Sequence, residues 1–142
     1  MRLLGLDVGT KRIGVALSDE LGLTAQGLPT VTRTTPTKDF QQLLEIVKQH
    51  NVDKIVVGLP KNMDGTLGKS AEQVLTFIRG IKKVTDISIE VWDERLSTVA
   101  VNRTLLSANV SRRRRKDVVD KLAAVYILQG FLDKKSTQLM FH

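Results

Sequence analysis

Three short acidic segments are the parts of this sequence best suited to chemistry. The first contains Asp7, which interrupts an otherwise mostly apolar run over residues 2–8. A carboxylate in such a run is unfavourable to bury unless its charge is compensated, so Asp7 is a candidate ligand. Taken alone, Asp7 could equally well cap the turn that Gly9 and Thr10 predict.

The second acidic segment, Asp93-Glu94-Arg95, follows an apolar run over residues 87–92. Neighbouring residues of a strand point to opposite faces, so we expect only one of the two acids to enter a common site. The plain structural alternative is a surface ion pair between Glu94 and Arg95.

The third acidic segment contains Asp117 and Asp120, near the start of the last expected helix. Ala123 and Ala124 are small enough to let this helix lie close against a sheet, which would bring Asp120 near the strand ends. The alternative is that Asp117 and Asp120 only stabilise the helix, because acids in a first helical turn are favoured by the helix dipole.

Acids at two strand ends and on one helix make a set of hard oxygen ligands, the kind that holds Mg²⁺ or Mn²⁺. The chain has two histidines and no cysteine, so we do not expect a zinc site. Two such ions about 3.5–4 Å apart can activate a water and stabilise the leaving oxygen in phosphodiester hydrolysis. The three segments together therefore favour a metal-dependent phosphodiesterase.

The charge balance favours a polyanionic partner. The 22 Lys and Arg residues outnumber 15 Asp and Glu residues, which gives a net charge of +7 that would attract nucleic acid. Aromatic residues are only 4% of the chain, so recognition of backbone and shape is favoured over base stacking. Within residues 109–116 we expect a basic loop, mobile until a polyanion neutralises it, whose candidate contacts are Arg112, Arg113 and Arg114. The alternative is a solvated surface run.

Hydrophobic periodicity predicts the elements that position these groups. Strands are expected over residues 2–8, 13–18, 27–34, 54–59 and 87–92, and the continuous apolar run at 54–59 is typical of a strand covered on both faces. Helices are expected to begin at Thr37, Ser70, Ser97 and Asp117, the first three ending near residues 51, 83 and 108. This order predicts an α/β sheet covered by helices.

Length and hydropathy limit the organisation of the chain. Its 142 residues are expected to form one domain over residues 1–142. We find neither a signal-peptide pattern nor a run of ~18 apolar residues, so we expect a cytoplasmic protein without a membrane partner. The sequence does not indicate an oligomeric state.

Four segments resemble the YqgF/RuvX family of RuvC-like bacterial proteins. They are residues 5–19 (GLDVGTKRIGVALSD), 57–65 (VGLPKNMDG), 91–98 (VWDERLST) and 116–128 (KDVVDKLAAVYIL), in family order along nearly the whole chain. The resemblance implies an α/β, RNase H-like fold, with a five-stranded mixed sheet, three strands antiparallel, flanked by helices.

The resemblance also implies roles for individual residues. The catalytic, metal-binding acids would be Asp7, Glu94 and Asp120, with Asp93 as the substitute for Glu94. The candidate phosphate contacts would be Lys11, Arg12 and Arg95, with residues 60–69 as a loop at the edge of the substrate site.

The implied function is a nuclease acting on structured nucleic acid, with processing of the 5′ end of pre-16S rRNA in ribosome biogenesis favoured. One alternative is a Holliday junction resolvase that acts on branched DNA in recombination and repair. Another is a nucleic-acid-binding module without catalysis. An actin-like ATPase or sugar kinase also carries an Asp-x-Gly-Thr hairpin, but it closes two such domains around a nucleotide, and this chain has the length of one.

Overall fold

The computed structural model describes residues 1–96 and 112–140. Their elements, in chain order, are β1 (Leu3–Val8), β2 (Arg12–Ser18), β3 (Ala25–Thr32), α1 (Pro36–Gln49), β4 (Lys54–Leu59), α2 (Lys69–Lys82), β5 (Ser88–Asp93), a 3-10 turn (Glu94–Leu96) and α3 (Arg112–Met140). The helix expected from Ser97 to residue 108, and residues 109–111 of the expected basic loop, lie outside the described residues. None of the helices that the structure describes is long and apolar enough to cross a membrane.

The five strands form one mixed sheet in the order β3-β2-β1-β4-β5. Strands β1, β2 and β3 are antiparallel neighbours, whereas β4 runs parallel to β1 and to β5. The expected five-stranded mixed sheet with three antiparallel strands is therefore confirmed. Pro29 lies in β3 at an edge of this sheet, which is where a residue without a backbone N–H is tolerated.

Alternate residues of the central strands contribute to two separate hydrophobic cores. Val57 of β4 packs in a cluster with Leu43 of α1 and Phe77 of α2. The preceding residue, Val56, belongs to a second cluster with Ile127 of α3. Strand β4 is therefore covered on both faces, as its uninterrupted apolar sequence predicts.

Helix α3 lies close against the sheet because the sheet presents glycines to it. A Cβ atom at Gly5 would lie 2.7 Å from the Cβ of Leu128 and 3.2 Å from the carbonyl oxygen of Ala124. A Cβ at Gly14 would overlap the carbonyl oxygen of Asp120. Backbone-to-backbone approach of this kind requires residues without side chains. The expectation that this helix approaches the sheet closely is confirmed.

Two helices begin earlier than their N-cap patterns predict. The cap of α1 is Thr35, whose side chain accepts a backbone N–H of the first turn, so the expected cap at Thr37 is wrong. Pro36 occupies the first helical position, where its missing N–H removes no helical hydrogen bond. Helix α2 is capped by Gly68 without a side-chain hydrogen bond, so the expected cap at Ser70 is also wrong. Glycine is itself an acceptable N-cap residue.

The expected basic loop is wrong over residues 112–116, because these residues belong to α3. Arginine and lysine are among the better helix formers, and the run contains neither glycine nor proline to interrupt a helix. Asp117 consequently lies within α3 and does not begin it. The basic residues Arg112, Arg113 and Arg114 are therefore part of the same helix as Asp120.

Replacing Gly14 with alanine should strongly destabilise the protein. The new methyl group would meet backbone atoms of Asp120, including its carbonyl carbon at 2.7 Å, so α3 must move away from β2. Overpacking of this kind typically costs about 1–3 kcal/mol, and we expect the upper end because no flexible side chain can give way. Urea unfolding of both variants measures the change.

Gly68→Ala is the matched control, because its Cβ would meet only the Asn62 side chain, at 3.5 Å or more. Loss of glycine at a helix cap should change the free energy of unfolding by less than about 1 kcal/mol. Equal stability losses in the two variants would contradict the close-approach argument.

Candidate active site

Asp7 lies near the end of β1 on the face of the sheet that α3 covers. Its neighbours Leu6 and Val8 contribute to the core under α1 and α2, so strand alternation directs Asp7 to the opposite face. It is half-buried and pairs across the antiparallel ladder with Gly14. A Cβ at Gly14 would lie 3.4 Å from the Cβ of Asp7, so the absent side chain leaves space beside this carboxylate.

Asp120 is brought to the same place by α3. The Gly14 position that faces the Asp7 side chain also faces the Asp120 backbone, and Asp120 is half-buried. Val119, which precedes Asp120, and Ala123, one helical turn later, are buried, which fixes this part of the helix against the sheet. Gly14 is therefore the point at which Asp7 and Asp120 approach each other.

Glu94 approaches from the end of β5. Glu94 is only 9% exposed, and its Oε1 lies 3.1 Å from where a Cβ of Gly58 would be. The parallel register pairs Leu6 with Val57, so Gly58 lies one residue further along, beside Asp7. The structure thus places the Asp7, Asp120 and Glu94 side chains on the α3 side of the sheet.

These three carboxylates supply the donor set that a hard divalent cation requires. Their oxygens match the ligand preference of Mg²⁺ and Mn²⁺. Across residues 1–96 and 112–140, no three His, Asp or Glu side chains are already grouped closely enough to hold a metal ion. The chemistry of this donor set fits a divalent metal ion.

Asp93 is committed to a different partner. Its carboxylate accepts hydrogen bonds from the backbone N–H of Arg95 at 3.0 Å and from Nη2 of that guanidinium at 2.8 Å. Lys61 lies 3.7 Å from the same carboxylate. The side-chain hydrogen bond from Arg95 is the largest cause of a lowered pKa for Asp93, and it raises the pKa of Arg95 in return. Asp93 therefore holds Arg95, and a phosphate that binds Arg95 would compete with this carboxylate.

The turn between β1 and β2 carries the other two candidate phosphate contacts. Lys11 is exposed and Arg12 half-buried, and Gly9 N–H donates to the carbonyl of Arg12 at 2.9 Å to close the turn. These cations follow Asp7 by four and five residues. The turn therefore presents positive charge at the end of the strand that carries Asp7.

Two residues that the sequence did not single out, Arg33 and Asp39, fix this turn. Arg33 donates its backbone N–H to the carbonyl of Lys11 at 2.9 Å and its Nη1 to the carbonyl of Gly9 at 2.9 Å. Its Nε donates to Asp39 at 3.2 Å, and Asp39 is only 1% exposed. In the sequence, Asp39 is recognisable only as an aspartate in the first turn of a helix. Such a residue ordinarily indicates an exposed interaction with the helix dipole and not a buried ion pair.

Comparison with known proteins identifies the family. A family model described as a RuvX Holliday junction resolvase matches residues 1–134. A Bacillus cereus (strain B4264) protein named "Putative pre-16S rRNA nuclease" is 56% identical over 137 residues, covering 95% of this chain and 100% of the relative. A protein of the same name from Clostridioides difficile (strain 630) is 58% identical over 134 residues, covering 94% and 95%.

Solved structures support the fold. RuvC of Thermus thermophilus, solved with a Holliday junction substrate, superposes with a TM-score of 0.58 at 13% identity, covering 96% of this chain and 97% of that one. The fowlpox virus Holliday junction resolvase gives a TM-score of 0.51 at 13% identity, covering 94% and 99%. The sheet and its helices are therefore RNase H-like, as in RuvC. The resemblance to YqgF/RuvX is confirmed: this chain belongs to the RuvX family, a family of nucleases.

Proposed function

We propose that this chain is a metal-dependent endonuclease whose substrate is the 5′ region of pre-16S rRNA. The observation that carries the proposal is the meeting of Asp7 and Asp120 at Gly14, with Glu94 beside the neighbouring Gly58 on the same face. The names of the relatives support nuclease activity and an rRNA substrate. An enzyme that matures rRNA would act in the cytoplasm.

Asp7, Glu94 and Asp120 would hold the metal, with Mg²⁺ or Mn²⁺ as the cations that suit carboxylate ligands. A bound divalent ion supplies an activated water and stabilises the leaving oxygen of a phosphodiester. Other residues of the chain would bind and orient the substrate. Lys11 and Arg12 would bind phosphates at the end of β1, and Arg33 holds their turn in place.

A four-way DNA junction is the second candidate substrate, because the matching family model is described as a Holliday junction resolvase. The test is cleavage of labelled precursor rRNA and of a four-way DNA junction side by side, with Mg²⁺, Mn²⁺ or EDTA. Cleavage of the rRNA with either metal, abolished by EDTA, is the expected result. Binding of both substrates without cleavage of either would instead support a non-catalytic module.

Asp7→Asn and Asp120→Asn should each abolish cleavage while the fold survives. Each change keeps the side-chain size but removes a charged ligand. Loss of outer-shell support for a metal already costs roughly 10–100-fold, so loss of a direct ligand should lower the cleavage rate by more than roughly 100-fold. Single-turnover cleavage measures the rate, and circular dichroism checks the fold. A folded Asp7→Asn variant that cleaves like the wild type would show that the assigned site is wrong.

Glu94→Gln should impair cleavage far more than Asp93→Asn. Glu94 lies beside Gly58 on the face that carries Asp7, whereas Asp93 is hydrogen-bonded to Arg95. A partly exposed ion pair is worth about 1 kcal/mol or less, so Asp93→Asn should slow cleavage by less than roughly tenfold. Cleavage rates at equal metal concentration give the comparison. Greater inactivation by Asp93→Asn would exchange the roles of these two acids.

Replacing Arg112, Arg113 and Arg114 with glutamine should weaken binding of many sequences about equally. Glutamine preserves helix propensity in α3 while removing three charges. If all three contact phosphates, the slope of log affinity against log salt should flatten by roughly 2–3, because each contact contributes roughly 0.7–0.9. Cleavage at saturating substrate should change little.

The control for this triple variant removes the same charge elsewhere. Arg79, Lys82 and Lys83 are exposed near the C-terminal end of α2, and their replacement with glutamine also removes three positive charges. Titrations at several salt concentrations should show a much smaller change in slope. Equal changes in both triple variants would mean that only overall charge matters.

A further inference from the structure

Residues 62–66 form a turn that is closed by its own hydrogen bonds, here called the 62–66 turn. The backbone N–H of Asn62 donates to the carbonyl of Thr66 at 3.0 Å, and that of Gly65 donates to the carbonyl of Asn62 at 2.8 Å. Asp64 accepts from the backbone N–H and the hydroxyl of Thr66, at 3.0 and 2.6 Å. Gly65 has a φ of +89°, which other residues rarely adopt. This five-residue turn therefore has a defined shape.

Arg95 fixes the 62–66 turn relative to the candidate active site. Its Nη1 lies 3.2 Å from where a Cβ of Gly65 would be, so the guanidinium lies directly against the turn. The hydrogen bonds to Asp93 hold this guanidinium in place. Arg95 directly follows Glu94 in the chain, and the turn follows β4 soon after Gly58. The segment Asp93-Glu94-Arg95 thus both carries the Glu94 carboxylate and contacts the 62–66 turn.

Met63 is the apolar residue of this turn, and it is 94% exposed, alongside the exposed polar residues Asn62, Asp64 and Thr66. A single exposed apolar residue needs no explanation by itself. Here, however, the residue lies in a turn with a defined shape beside a candidate nuclease site. Methionine is flexible and polarisable, and it is one of the side chains that proteins insert between base steps to unstack a helix.

We propose that Met63 is a substrate-positioning residue that inserts between bases of the nucleic acid, next to the Glu94 side of the active site. The proposal rests on the proposed function and adds a preferred substrate class. Insertion is most favourable where stacking is already interrupted, as at a bulge, a helix end or a branch. Met63 should therefore direct the enzyme to interrupted helices over continuous ones.

The test uses an RNA duplex with a two-nucleotide bulge, the fluorescent base 2-aminopurine beside the bulge, and a fully paired duplex of the same sequence. The Asp7→Asn protein prevents cleavage during the measurement. Binding of this parent protein should raise 2-aminopurine fluorescence several-fold on the bulged duplex, because the base becomes unstacked. Adding Met63→Ala should remove the rise and weaken binding of the bulged duplex about tenfold, leaving the paired duplex unchanged.

Two further variants separate insertion from general effects. Met63→Leu, which keeps an apolar side chain of similar size, should retain the fluorescence rise. Leu21→Ala removes a comparably exposed side chain, 79% exposed, between β2 and β3, and should change nothing. Thermal unfolding should be the same in all variants.

The proposal is overturned if the fluorescence rise survives Met63→Ala, or if Leu21→Ala removes the rise equally. It is also overturned if the parent protein produces no rise. These outcomes can be distinguished from a failure of the proposed function, which is tested by cleavage with the wild type. A wild type that unstacks the bulge but cleaves neither substrate would remove the nuclease assignment and leave the role of Met63 intact.

Discussion

The distance between α3 and the sheet is the constraint on which the candidate site depends. Glycines on four neighbouring strands face this helix: Gly27, Gly14, Gly5 and Gly58, where a Cβ would meet Lys121, Asp120, Leu128 and Ile127 respectively. These helix residues recur at the spacing of one helical face. Side chains at Gly14 and Gly5 would meet backbone or Cβ atoms of α3, so they would push the helix outward and carry the Asp120 backbone away from Asp7. The same contacts thus stabilise the fold and hold the Asp120 backbone beside Asp7.

The opposite face of the sheet contributes through an ion pair between a buried carboxylate and a partly exposed arginine. Asp39 in α1 pairs with Arg33, which lies 5.6 Å over the Phe77 ring of α2 and bonds the carbonyl of Gly9. A buried carboxylate is tolerated only when it is paired, and Asp39 also accepts the backbone N–H of Thr34 at 2.9 Å. Packing of both helices is thereby connected to the turn that follows Asp7. Each face of the sheet positions a different part of the site.

Sequence patterns predicted the elements better than their ends or their contacts. Strand β4 was predicted to the residue, because a strand covered on both faces is an uninterrupted apolar run. The starts of α1 and α2 were wrong because a cap depends on one local hydrogen bond, and neighbouring residues compete for it. Asp39 was missed because sequence alone does not show that Arg33, in the linker before α1, folds back to pair with it. Glu94 was favoured over Asp93 as the metal ligand by the resemblance to the YqgF/RuvX family, because residue spacing alone did not choose between them.

The two adjacent acids differ in environment because Asp93 is the last residue of β5, whereas Glu94 is the first residue of the 3-10 turn. Glu94 lies beside Gly58, whereas Asp93 binds Arg95 and through it braces the 62–66 turn. The hydrogen bond from Arg95 lowers the pKa of Asp93, so the stabilising pair is fully formed above the ordinary aspartate pKa and is lost only as pH falls through the lowered value. Metal binding by the proposed ligands would also require ionised carboxylates. The contact between Asp93, Arg95 and the 62–66 turn is therefore intact at neutral pH.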